Sequence, residues 1–127
     1  MRKTTTVAVV VALAIAGAAV AQQAGIKRTI LQRVDVPGST YETVLGIAEI
    51  SAGINAGRHT HPGPETGTVT EGEMVLLIDG QAPKTLKVGD SYQIATGIVH
   101  DVKAVSGAKV VAVYTIPKGQ PLATPAP

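Results

Sequence analysis

The stretch Gly53–Gly72, GINAGRHTHPGPETGTVTEG, decides how the rest of this 127-residue chain is read. It carries His59 and His61, one residue apart, and Glu65 directly after Pro62-Gly63-Pro64. In a strand, residues i and i+2 point to one face and rise about 3.3 Å per residue. His59 and His61 then stand side by side, at the spacing that two neighbouring ligands of one ion require. Arg58 and Thr60 face the other way. The Pro-Gly-Pro reverses the chain and Glu65 opens the next strand, whose same face continues through Gly67 and Val69. A glycine there leaves room beside a metal, and the valine belongs to a core; Thr68 and Thr70 face outward. The third histidine, His100, begins a later strand and shares its face with Val102 and Ala104. Three imidazoles and a carboxylate suit a borderline divalent ion and leave coordination positions open. An isolated H-x-H is a weak motif, and a strand histidine is more often a core or surface residue. The framing glycines and the distant third histidine are what raise this one.

Working outward, the chain reads as short β segments separated by Gly, Pro or Asp. They are Thr29–Val36, Tyr41–Ser51, Val75–Ile78 running into Asp79-Gly80, Thr85–Val88, Ser91–Ala95, His100–Val105 and Lys109–Ile116. No stretch after residue 21 shows a helical period with start and stop signals. Short strands at regular spacing point to an all-β sandwich or barrel. Its core must be aliphatic, because the chain has no Phe or Trp and its aromatics are Tyr41, Tyr92 and Tyr114. The last residues, KGQPLATPAP, are Pro-rich and read as a disordered or extended tail.

The first residues are organised differently. Met-Arg-Lys precedes an apolar run, Val7–Val20, and Ala19-Val20-Ala21 gives a small-x-small cleavage pattern. This is the order of a secretory signal peptide, and the run is short for a membrane span, which needs about 20 residues. We expect a mature chain from near Gln22, periplasmic or secreted, with no stable membrane anchor after cleavage. With no cysteine in the chain, neither a lipid-anchored cysteine nor a disulfide is available. Arg2 and Lys3 leave with the signal, so 11 − 2 = 9 Lys and Arg remain against 9 Asp and Glu. A balanced chain has no basic stripe to grip a phosphate backbone, which argues against nucleic acid as a partner.

The opening stretch resembles the first motif of the cupins, G-x5-H-x-H-x3-E-x6-G, with Gly53, His59, His61, Glu65 and Gly72 at its fixed positions. The second cupin motif, G-x5-P-x-G-x2-H-x3-N, is similar to Gly89, Gly97 and His100, with Ala95 in place of the proline and Ala104 in place of the asparagine. The resemblance implies a small double-stranded β-barrel of the jelly-roll kind. It divides the chain into a signal peptide (1–21), an N-terminal arm (22–40), the barrel (41–116) and the Pro-rich tail (117–127). It also implies the metal ligands His59, His61, Glu65 and His100, holding one divalent ion (Fe, Mn, Ni, Cu or Zn), and a homodimer paired through the arm. Ala95 removes a proline that would fix the turn before His100, and Ala104 removes an amide, but neither change touches a ligand.

Cupins with these ligands include dioxygenases, other enzymes and non-catalytic binding proteins, so fold alone does not name the reaction. Two readings stand. One is a metal-dependent, dioxygenase-like enzyme for a small oxygen-rich molecule; the other is a non-catalytic module that binds a metal or small ligand. No catalytic residue is assigned. Tyr92 or Gln93 lines the pocket, Arg28 or Arg33 is a candidate to hold a substrate carboxylate, and Asp101 is expected as a surface charge.

Overall fold

The computed structural model describes residues 25–127, and those residues form nine strands and no helix. The signal-peptide reading of 1–21 and the start near Gln22 lie outside the described residues. The strands are β1 (Ile26–Asp35), β2 (Tyr41–Ile50), β3 (Ile54–Asn55), β4 (His59–Thr60), β5 (Glu65–Ile78), β6 (Lys84–Lys87), β7 (Ser91–Ile94), β8 (His100–Pro117) and β9 (Thr124–Pro125). All pairings are antiparallel. The fold is all-β, a curled antiparallel sheet of the expected small-barrel kind.

Two long strands build the curl. The sequence reads β8 as two segments parted at Ser106-Gly107, yet it runs unbroken for 18 residues. Its first half pairs with β3 and the far end of β5; its second half pairs with β2 and the near end of β5. The break is a bend. Gly107 takes a positive φ of 90°, and β5 opposite shifts register between Val69 and Glu71 and again between Gly72 and Met74. Bulges of this kind bend a strand and increase its twist without ending it. Gly72 is required at the bend by contact: a Cβ there would meet the Gly107 carbonyl oxygen at 2.0 Å. This is the physical reason for the last glycine of the opening stretch.

Alternation does the rest. Along β2 the burial runs Val44, Gly46, Ala48, Ile50 inward, and along β8 Val110, Ala112, Tyr114, Ile116 inward. Met74, Leu86 and Ile116 are fully enclosed, and burying a side chain of this size contributes about 1.5–3 kcal/mol. One cluster of the core gathers around Met74 and Val69, the other around Val44, Tyr114, Ile116 and Leu122. The arm, β1, pairs with β2 of its own chain.

The tail is extended and docked. After a turn at Pro117–Gln120, Leu122 inserts into the second core cluster and β9 then pairs with β4, Pro125 opposite His59 and Thr124 opposite Thr60. One apolar side chain and a short strand suffice to seat a segment whose composition reads as disordered.

Candidate metal centre

Two of the histidines lie on strands as expected, whereas His61, expected on the strand of His59, follows it in a loop. His59 lies on β4, His61 directly after it, and His100 opens β8 across from both His59 and Ile78. All three are buried inside the barrel. Ring centroids lie 4.9 Å apart for His59 and His61, 4.2 Å for His59 and His100, and 5.1 Å for His61 and His100. One ring nitrogen from each can be chosen so that all lie within 4.8 Å of one another, a group able to hold a metal ion.

The other ring nitrogens are already committed. His59 Nδ1 donates to the Gly57 carbonyl at 2.7 Å, His61 Nδ1 to the Leu122 carbonyl at 2.5 Å, and His100 Nδ1 to the Ile98 carbonyl at 3.0 Å. A carbonyl only accepts, so each Nδ1 carries a proton, and each Nε2 is the nitrogen left to the cavity. His61 Nε2 is buried without a hydrogen-bond partner, although Glu65 Oε2 lies 3.0 Å away. His100 Nε2 lies 3.6 Å from the same oxygen. Two imidazole nitrogens thus converge on one carboxylate oxygen at close range, an arrangement that a proton or a bound cation between them satisfies. The donor set fits a divalent ion, and the carbonyl contacts are the kind that fix ligand tautomers around one.

Glu65 is buried beside the imidazoles, and its Oε1 accepts the Tyr92 hydroxyl at 2.8 Å. Burial alone would raise its pKa; His100, His61 and the Tyr92 hydroxyl outweigh that and hold the carboxyl below the usual carboxylate range. Burial, opposed by the Gly57 carbonyl and reinforced by the neighbouring His100, His61 and Arg28, lowers His59 to about 4. Burial and the Glu65 charge push the Tyr92 and Tyr114 phenols well above their ordinary value. At neutral pH His59 is therefore a neutral imidazole, Glu65 an anion, and both tyrosines are hydroxyl donors. All of these groups line one cavity of about 20 Å³, room for roughly a single water.

The structure decides the alternatives that strand parity leaves open. Tyr92 points inward and Gln93 is exposed. The space at Gly67 is taken by Tyr92 and not left beside a metal: a Cβ on Gly67 would meet the tyrosine hydroxyl oxygen at 2.5 Å. Arg28 lines the cavity, its Nη2 3.4 Å from His59 Nε2, whereas Arg33 pairs with Glu42 outside. Arg58 is exposed and holds Asp79 through two hydrogen bonds of 2.8 Å. Ala104 is fully buried in the core beside the β5 bend, and the Ala95 turn is held instead by Gly97 N–H donating to the His61 carbonyl at 3.0 Å.

One expectation is corrected. Asp101 is not a surface charge but is 8% exposed. It does face away from His100, into the loop that precedes β4. Its Oδ1 accepts from Gly57 N–H at 2.9 Å and Val102 N–H at 2.7 Å, and its Oδ2 accepts from the Asn55 amide at 3.0 Å. Parity is a local rule and cannot see that a loop covers the outer face. Tyr114 and the Leu122 carbonyl were also missed. Tyr114 could have been found, since it shares a face with Ala112 and Ile116, whereas nothing local ties Leu122 to His61.

A curled antiparallel β-barrel with a buried trihistidine group able to take a metal defines the class of protein. The chain belongs to the cupins: the cupin domain matches residues 46–117. Over 60 residues it is 43% identical to the HTH-type transcriptional regulator PuuR of Escherichia coli K12, a match covering 46% of this chain and 32% of the regulator. The chain thus spans about a third of the length of the curated relatives it matches. Among solved structures, a double-stranded β-helix protein from Klebsiella pneumoniae is similar at 21% identity and a TM-score of 0.64, over 82% of this chain and 86% of that one. A recombinant oxalate oxidase in complex with glycolate is similar at 21% identity and a TM-score of 0.63, over 80% and 55%. These likenesses establish the shared fold.

Proposed function

We propose that this chain is an exported, metal-dependent cupin enzyme, dioxygenase-like, acting on a small oxygen-rich molecule. The ligands are His59, His61, His100 and Glu65, and the ion is one of Fe, Mn, Ni, Cu or Zn. The observation that carries the reading is the convergence of the His61 and His100 Nε2 atoms on one Glu65 oxygen in a buried space. An open-sided ion in such a set supplies Lewis-acid polarisation of a bound oxygen ligand, or redox chemistry where the metal allows it. The protein's part is orientation and exclusion of water. Three backbone carbonyls aim the imidazoles, Tyr92 holds Glu65 by its Oε1, and the aliphatic walls keep the space dry. Export is supported by the signal pattern of residues 1–21.

The size of the cavity, about 20 Å³, favours a second reading, a binding module that holds a metal without turnover. Elemental analysis of protein purified from the exported fraction, beside His100→Ala, separates the two. We expect near-stoichiometric metal that the variant loses, and oxygen consumption with small hydroxy or keto acids. Stoichiometric zinc with no turnover supports the binding module; equal metal in both proteins sinks the assigned centre.

A further inference from the structure

The candidate centre lies behind closed walls. His59, His61, Glu65 and His100 are each 5% exposed or less, so an ion arriving from solvent needs a wall that moves. Every residue lining the cavity is buried except Arg28 and Tyr92. Of those two, Tyr92 also borders a second space. Strands β6 and β7 pair with β5 alone, and an open groove of about 680 Å³ beside them is lined by Thr66, Thr68, Ile78, Lys84, Tyr92 and Gln93 among others. Leu76 borders both spaces too, but it is fixed in the core cluster around Met74. Tyr92 is thus the half-buried side chain between a wide groove and a cavity of about 20 Å³.

We propose that Tyr92 gates the metal centre, and that the ion enters from the groove when the tyrosine ring swings outward. The inference rests on the metal-centre reading above. One hydrogen bond, from the Tyr92 hydroxyl to Glu65 Oε1 at 2.8 Å, holds the ring in its closed position. Gly67 lets it close: a Cβ there would stand 2.5 Å from the hydroxyl oxygen and hold the ring off. A half-exposed side chain changes rotamer far faster than strands separate. The imidazoles, by contrast, are each tied to a backbone carbonyl and move only with the backbone. Tyr92 is therefore a positioning residue with two states. Closed, it holds Glu65 toward the histidines; open, it joins the cavity to the groove.

The test mixes metal-free protein with Co²⁺, follows uptake with a free-metal indicator, and then follows release into excess chelator. Tyr92→Ala should take up cobalt at least tenfold faster than wild type and release it faster as well, because a gate acts on both rates. Thr68→Trp, which fills part of the groove away from the histidines, should slow uptake. If Tyr92 only props Glu65, Tyr92→Ala will release cobalt faster but take it up at the wild-type rate, and that result overturns the gate. A wild-type uptake rate in Thr68→Trp overturns the groove as the route. Should Tyr92→Ala fail to fold, Gly67→Ala, whose added methyl displaces the tyrosine ring, takes its place under the same criterion. No cobalt uptake by wild type removes the metal centre itself, and this inference with it.

Discussion

At the scale of single residues, the candidate ligands are only half of the site. Asp101 makes the point, because it touches no imidazole and yet governs one. It fixes the Gly57 amide, and the Gly57 carbonyl in turn receives the His59 Nδ1 proton. Replacing it with alanine removes the acceptor of the Gly57 and Val102 N–H groups and of the Asn55 amide, and an unsatisfied buried donor such as the Val102 N–H costs about 1–3 kcal/mol. The loop then loosens and His59 loses its fixed tautomer. We expect Asp101→Ala to melt earlier and to bind metal about tenfold more weakly, the lower end of what outer partners of metal ligands contribute. Asp101→Asn keeps an acceptor oxygen and should fall between the two. Competition against a calibrated chelator reads the affinity; an Asp101→Ala protein that matches wild type there would restrict Asp101 to stabilising the loop.

At the scale of elements, the C-terminal strap is the unexpected component. Leu122 anchors it in the core, and the Leu122 carbonyl sets the proton on His61. The strap continues as β9 along β4, with Ala126 N–H donating to the Arg58 carbonyl at 3.0 Å, so it braces the strand that carries His59 as well. Leu122→Ala opens a cavity in the second cluster, a change that costs about 2–5 kcal/mol. It also frees the backbone that orients His61. The expected result is a lower melting temperature together with a 10- to 100-fold loss of metal affinity, and removal of residues 121–127 should do the same. A strap that only packs would lower the melting temperature and leave metal affinity at the wild-type value. The other elements were largely legible: alternation placed β1, β2 and β7, and Asp79-Gly80 marked the turn after β5. The continuity of β5 and β8 was misjudged: Val75–Ile78 reads as a segment of its own but ends a 14-residue strand that starts at Glu65. Ser106-Gly107 looks like a terminator in sequence, and becomes a bend because β2 and β5 pair with the strand on both sides of it.

At the scale of the whole molecule, what the sequence disclosed and what it withheld divide along contact distance. The spacing within Gly53–Gly72 is local, so it identified the barrel and the residues that meet in its centre. Burial of Asp101, docking of Leu122 and the inward path of Arg28 depend on segments 31–61 residues apart, and no spacing rule reaches across such gaps. The consequence of this assembly is a fold that buries a neutral imidazole, and folding stability should report it. His59 binds a proton at its ordinary pKa of 6.5 when unfolded but only near 4 when folded. Between those values the unfolded chain holds more protons, so stability falls as pH falls. The full loss for this group is about 3 kcal/mol, and it is complete near pH 4. Glu65 has the opposite history, a carboxyl held below its ordinary 4.5. Its stabilisation is complete above that value and is lost only below it, as pH drops toward the folded pKa. Chelator-treated protein should therefore show a urea midpoint that declines steadily from pH 7 to pH 4.5 through His59, and continues downward below that through Glu65. A midpoint that is flat from pH 7 to pH 4.5 would mean that His59 is already protonated, or solvated, inside the folded barrel, and its assignment as a neutral imidazole would have to be withdrawn.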